Sequence, residues 1–304
     1  KNIITQGIRI NGDNLSDKHL TVAWQEARIF FDKEIPSNLC DKYLSFLAPK
    51  EINDFTDFEA NNKDEVHADD AIRAMFDCLT LTTTKPEEVE LFYTLFKKWY
   101  IGIAGSMKGG INVTQLVLTG GQNEGKTKFF EYMLPTELDE YFSSDPDFKD
   151  KDGKKNWCTR LIILDDELTL YNPRTIREFK AQMTKRTYDI RLPYAKVEHR
   201  FNRIASYCGT SNEKEILNDP TGNRRVIPLD IKSIDFTKYK AINKTKALAQ
   251  ALAHVRADKE CYYLSKEDIE GLAAASEAHT DETVEYELIL KLCDKGEDEA
   301  NAEI

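Results

Sequence analysis

Residues 120–127 read Gly120-Gly121-Gln122-Asn123-Glu124-Gly125-Lys126-Thr127. The spacing G-x-x-x-x-G-K-[ST] is that of a phosphate-binding loop. Each position has a chemical reason. The glycines let backbone N–H groups turn toward an anion. Lys126 offers a charge to the β- and γ-phosphates of a nucleotide such as ATP, and the Thr127 hydroxyl is a ligand for Mg²⁺. The alternative is a chance glycine turn, and the flanks argue against it. Leu116-Val117-Leu118 can be a buried strand and Phe129 to Leu134 a helix, so the loop joins the two elements such a site needs.

A phosphate loop also needs a metal-holding acid at the end of a neighbouring strand. Leu161-Ile162-Ile163-Leu164 is an apolar run followed by Asp165-Asp166-Glu167. Ligands in open α/β sheets bind at the C-terminal ends of strands. We assign Asp166 to the metal, with Asp165 as its alternate, and Glu167 to the base that polarises an attacking water. The competing view is a solvated acidic turn. A third apolar run, Ile204 to Gly209, ends in Thr210-Ser211-Asn212. An amide at that strand tip can orient the lytic water, although asparagine after a strand is commonly a turn residue. Arg224 and Arg225 follow a turn and precede Val226-Ile227-Pro228-Leu229. Their planar forks suit a γ-phosphate, in particular that of a neighbouring subunit. Two salt-bridged surface arginines are the plainer reading.

The elements that position these residues follow from pattern. Strands and helices alternate from Leu161 to Pro228, which predicts an α/β fold with a parallel-type sheet and flanking helices. Pro86-Glu87-Glu88 is a helix start, and Leu91, Phe92, Leu95, Phe96 and Trp99 form its apolar stripe. Residues 1–85 are expected to form a mostly helical N-terminal unit, with a linker over Glu51 to Asp70 and a short helix over Ala71 to Leu81. The loop-bearing core takes 86–233, and Ser143 to Asn156 within it reads as a solvated loop. A helical segment takes 234–304, with Ser265 and Asp268 as a capping box.

In their order, these motifs resemble the virulence-associated protein E-like family of P-loop ATPases, which belongs with the superfamily 3 helicases of phages, plasmids and genomic islands. The resemblance runs from about Phe92 to Leu290 and adds Phe96-Lys97-Lys98-Trp99, Phe179-Lys180 and Arg191-Leu192-Pro193-Tyr194 to the elements above. One departure is Leu164, which stands where relatives are expected to carry a first acid. The choice between Asp165 and Asp166 therefore stays open. The resemblance implies an AAA+-like core, a ring that is a hexamer, and ATP-driven movement along single-stranded DNA during replication of a mobile element.

The whole chain has 304 residues, 41% apolar and 31% charged, with a net charge of −11. That balance alone argues against nucleic acid, but the segment from Lys180 to Arg203 runs the other way. It holds seven basic residues against Asp189 and Glu198. Lys185, Arg186, Arg191, Lys196 and Arg200 would track phosphates there, and Tyr188 and Tyr194 would stack on bases. Arg191 and Arg203 can instead face ATP. A solvated hairpin balanced by acids elsewhere is the simpler alternative. No apolar run approaches the ~18–20 residues of a membrane span. Six scattered cysteines without a C-x-x-C pair argue for reduced thiols in a cytoplasm. The start at Lys1 suggests a piece of a longer protein. Two other functions compete with a helicase ATPase: an oligomeric ATPase switch or loader acting on a protein, and a P-loop kinase.

Overall fold

The computed structural model describes residues 9–10, 13–14, 24–25, 29, 53–63, 70–170, 174–191, 198–212 and 225–277. Two short strands, β1 (Arg9–Ile10) and β2 (Asp13–Asn14), pair with each other. The centre of the molecule is a six-stranded sheet. Its strands are β3 (Leu79–Leu81), β4 (Gln115–Thr119), β5 (Phe142–Ser143), β6 (Ile162–Asp165), β9 (Ser206–Ser211) and β10 (Val226–Ile234), in the order β3-β10-β4-β9-β6-β5. Every neighbouring pair is parallel except β3 with β10. This is a mixed α/β architecture with a mostly parallel sheet.

The strands are apolar because both faces are covered. Alternation divides their side chains between two cores. Leu116, Leu118, Ile162, Leu164 and Cys208 belong to one. Val117, Ile163 and Tyr207 belong to the other. The first core is filled by the helix α3 (Pro86–Met107), with α1 (Asp54–Asn61) and α2 (Ala71–Phe76) before it. Pro86 at its start and Glu87 and Glu88 in its first turn are as expected. Trp99 is fully buried and donates through Nε1 to the Tyr207 carbonyl at 3.0 Å, tying α3 to the central strand β9.

After β4 the chain enters α4 (Lys126–Glu131), then a 3-10 turn, β5, α5 (Lys151–Thr159) and β6. Beyond β6, α6 (Ile176–Thr184) leads into an antiparallel pair, β7 (Thr187–Ile190) and β8 (His199–Asn202). The chain closes with α7 (Phe236–Ala241), α8 (Lys244–Ala257) and α9 (Lys266–Glu277). The capping box at α9 is present: Asp268 N–H donates to Ser265 Oγ at 3.2 Å, and Ser265 N–H donates to Asp268 Oδ2 at 2.7 Å.

Four local expectations change. Asn53 caps α1, and Phe55 and Phe58 bury its inner face, with Phe55 4.9 Å from the Tyr141 ring. The acidic stretch after Glu51 therefore holds a packed helix. The helix expected over 71–81 ends at Phe76, because Leu79, Thr80 and Leu81 pair with Ile234, Ser233 and Ile231 of β10. An open strand edge outweighs helical propensity there. The division at residue 85 thus falls between an edge strand of the sheet and α3. Finally, α4 spans Lys126–Glu131 rather than Phe129 to Leu134, and α5 occupies part of the stretch read as a solvated loop, with Trp157 buried.

Pro228 lies within β10, where its place is set by hydrogen-bond parity. Gln115 N–H donates to the Arg225 carbonyl on the β4 side, and Thr82 N–H donates to the Asp230 carbonyl on the β3 side. Pro228 shares the parity of Asp230, while β3 covers only Ile231 to Ile234. Its missing N–H therefore faces a stretch of edge without a strand neighbour among the described residues.

Candidate functional site

The C-terminal ends of β4, β6 and β9 converge on one cavity of about 410 Å³. The loop after β4 lines one side, and Asp166, Glu167, Thr210 and Asn212 line the other. The loop turns through positive φ at Gly120 (153°), Asn123 (64°) and Gly125 (82°). A Cβ on Gly120 would lie 2.4 Å from Glu124 Oε2 and 2.5 Å from the Ile231 carbonyl oxygen, and one on Gly125 would lie 2.3 Å from the Phe236 ring. Only glycine fits either place. Asparagine tolerates the left-handed region better than most residues, which suits Asn123.

Lys126 is buried, 6% exposed, beneath this loop. Its Nζ donates to the carbonyls of Gly120 at 2.9 Å and Gly121 at 2.6 Å, and to Asn212 Oδ1 at 3.0 Å. Desolvation pulls its pKa below the usual lysine value, against the opposing charges of Glu124 and Asp166. All three acceptors are uncharged. Among the described residues no carboxylate makes a direct ion pair with the ammonium, so an anion entering the cavity would be attracted to it.

Thr127 donates through Oγ1 to Asp166 Oδ1 at 2.9 Å, and Thr210 donates through Oγ1 to the same oxygen at 2.5 Å. The loop hydroxyl and the acid thus meet across the cavity. Glu167 N–H donates to Thr210 Oγ1 at 3.2 Å, and Glu167 is exposed on the cavity wall with φ 61°. Thr210 is the residue that sequence reasoning missed. Its signal was available, since alternation along β9 gives residues 208, 210 and 212 a common side.

Asp165, the alternate for the metal, is not at the cavity. It is fully buried and accepts hydrogen bonds from Thr169 N–H at 2.7 Å, Thr169 Oγ1 at 2.6 Å, Leu170 N–H at 2.9 Å and the Tyr207 hydroxyl at 2.6 Å. A carboxylate so occupied inside the fold has no oxygen to offer a cation in the cavity. An oxygen pair from Thr127 and Asp166 fits Mg²⁺, which takes few protein ligands and completes its shell with phosphate and water. Among the described residues no cluster of three or more His, Cys, Asp or Glu could hold a metal.

Arg225 stands at the opposite end of β10 from the cavity, beside Gln115 at the start of β4. With about 3.3 Å per strand residue, the five residues of β4 separate it by roughly 16 Å from the loop of its own chain. It therefore does not join this cavity. Arg224 lies outside the described residues, as do Tyr194 and Lys196.

The basic segment forms the β7–β8 hairpin, at the same N-terminal edge of the sheet as Arg225. Lys185, Arg186, Arg191 and Arg200 are exposed on it. Arg200 pairs with Asp189 through Nε at 2.9 Å and Nη2 at 3.2 Å, and Lys185 Nζ sits 4.5 Å above the Tyr188 ring. Two expectations are corrected here. Tyr188 is 1% exposed and donates to Gln182 Oε1 at 2.8 Å, so it is part of the core and presents no stacking face. Arg203 is fully buried and faces neither DNA nor ATP. It donates to the carbonyls of Lys185 (3.1 Å), Ala205 (2.8 Å), Asn112 (2.8 Å) and Met183 (3.0 Å), and burial lowers its pKa to about 10.

Fold and site together define a mixed α/β protein with a glycine-rich loop, a buried lysine and an exposed acid pair gathered at the C-terminal edge of a mostly parallel sheet. Residues 63–285 match the model of the virulence-associated protein E-like domain, and the chain belongs to that family. Among solved structures it is similar to the A form apo structure of the NrS-1 C-terminal region, at 16% identity and a TM-score of 0.42, over 69% of this chain and 54% of that one. A second apo structure of the same region gives 16% identity, a TM-score of 0.41, and 69% and 55% coverage. The chain thus spans about half the length of the solved structures it matches. No curated protein matches it. Among the described residues no helix is long and apolar enough to cross a membrane.

Proposed function

We propose that the chain is an ATPase with an AAA+-like phosphate-loop core, which binds ATP and Mg²⁺ in the cavity at the strand ends. The observation that carries this reading is the meeting of Thr127 and Asp166 at 2.9 Å beside the buried Lys126, whose hydrogen-bond acceptors are uncharged. Mg²⁺, when bound by Thr127 and Asp166, supplies charge neutralisation at the transferring phosphate. Lys126 exchanges neutral carbonyl and amide partners for phosphate oxygens, and such charge-assisted bonds are stronger. Glu167, exposed on the same wall, orients and deprotonates water, with Asn212 as a further polar group lining that cavity. Arg224 or Arg225 acts on the nucleotide of an adjacent subunit in a ring, read as a hexamer. The distance of Arg225 from the cavity of its own chain supports a role in trans.

We further propose that hydrolysis drives movement along single-stranded DNA in replication of a phage or other mobile element. Family membership, the order of the motifs and the exposed basic side chains of the β7–β8 hairpin support this reading. Phosphate release measured with and without single-stranded DNA tests it. Stimulation by DNA, lost in Lys126→Ala, is expected. Hydrolysis indifferent to DNA would move the function to a switch or loader acting on a protein. Phosphate transfer to a small molecule in place of water would make the chain a kinase.

A further inference from the structure

Asp165 ends β6, Asp166 follows it, and the two face opposite ways. Asp166 enters the cavity, while Asp165 accepts four hydrogen bonds inside the fold. Three of those donors belong to the turn that follows, at Thr169 and Leu170. The fourth is the hydroxyl of Tyr207 on β9, whose ring is packed 4.7 Å from Phe179 and 6.3 Å from Trp157. Between the anchors, Glu167 and Leu168 adopt φ 61° and 49°, a left-handed backbone that side-chain-bearing residues avoid unless their surroundings impose it. The surroundings do so at two further points. Thr210 Oγ1 accepts the Glu167 N–H, and Leu168 packs on Gly209, where a Cβ would lie 2.3 Å from Leu168 Cδ2.

We propose that Asp165, held by Tyr207, is the positioning residue of this turn: it keeps Glu167 in its left-handed conformation on the cavity wall without touching nucleotide or metal. The inference rests on the ATPase reading for its kinetic consequence, but its structural half does not need nucleotide. The side chain acts as a local clamp. It gathers the amides of Thr169 and Leu170 back toward the end of β6, so that the backbone has to reverse at Glu167 and Leu168.

Tyr207→Phe removes one donor and keeps the ring, and Asp165→Asn keeps the shape while changing the acceptor set. In the nucleotide-free protein, amide exchange at Thr169 and Leu170 should accelerate by about 10-fold in Tyr207→Phe, the worth of one hydrogen bond, with Leu116 to Leu118 unchanged. The kcat for ATP should fall by a similar factor of about 10, with KM and the Mg²⁺ concentration for half-maximal rate unaltered. Asp166→Asn should instead raise that Mg²⁺ requirement. The Asp165→Asn, Tyr207→Phe double variant should cost less than the two single changes added together, since the bond Tyr207 donates is one of the four that Asp165 accepts. Unchanged exchange at Thr169 and Leu170 in folded Tyr207→Phe would overturn the inference and leave the ATPase reading intact. A raised Mg²⁺ requirement in Asp165→Asn would overturn it in favour of a metal ligand. If the wild type hydrolyses no ATP, the ATPase reading falls and takes the kinetic half with it, while the exchange result still decides what holds the turn. Should Asp165→Asn not fold, Tyr207→Phe carries both measurements.

Discussion

The two ends of the sheet treat cationic side chains in opposite ways. At the C-terminal edge Lys126 is buried, yet its partners are two loop carbonyls and one side-chain amide, all next to a cavity. At the N-terminal edge Arg203 is buried deeper, and four carbonyls from different segments close around it. Both charges lose hydration. Both recover hydrogen bonds from the protein, Arg203 through four of its five donors and Lys126 through all three. Burial lowers the pKa of both. The difference is one of place: Lys126 lines the cavity and Arg203 does not. A charge enclosed on every side serves the fold, and a charge that borders a cavity is available to a ligand.

The largest effect that could break this contrast is at Lys126. Lys126→Ala should reduce ATP hydrolysis by about 100-fold or more, while the melting temperature stays near that of the wild type. A variant that unfolds would make Lys126 a structural residue like Arg203. Arg203→Ala should do the reverse, lowering unfolding stability by at least about 3 kcal/mol through its orphaned carbonyls. Denaturant titration checks this, and a loss under about 1 kcal/mol would mean the carbonyls find water.

Two smaller effects sharpen the picture of the N-terminal edge. Mixing Arg225→Ala subunits with Lys126→Ala subunits should restore part of the hydrolysis, since some interfaces then pair an intact loop with an intact arginine. No rescue in a mixture shown to co-assemble would remove Arg225 from the neighbouring site. Charge reversal at the exposed Lys185 and Arg186 should leave stability within about 0.5 kcal/mol. It should flatten the salt dependence of single-stranded DNA binding by about 0.7 for each phosphate that the hairpin no longer neutralises. Anisotropy across a salt series reads this, and an unchanged slope would take the hairpin off the DNA path.

What the sequence made legible was local. The glycine loop, the runs Leu116 to Leu118 and Ile162 to Leu164, and the capping box at Ser265 each announce themselves within a few residues, and all stand in the structure. What stayed hidden depends on distant partners. Asp165 and Asp166 look alike in the sequence. The difference arises because the following turn folds back on Asp165 through Thr169 and Leu170, and Tyr207, forty-two residues later, donates to it as well. Tyr188 and Arg203 sit in a basic stretch whose composition suggests solvent, yet Trp157 and Asn112 help to enclose them from other segments. Likewise Leu79 to Leu81 became a strand because β10 offered an edge, and Phe55 and Phe58 found a core in an acidic neighbourhood.

The proline in β10 has a bearing on how a buried backbone is satisfied. Val226 to Leu229 are buried, although among the described residues no strand pairs with them on the β3 side. A backbone N–H at that place would need a partner inside the fold, and Pro228 brings none to satisfy. Pro228→Val would add such a donor and should cost about 1–3 kcal/mol where it stays unpaired.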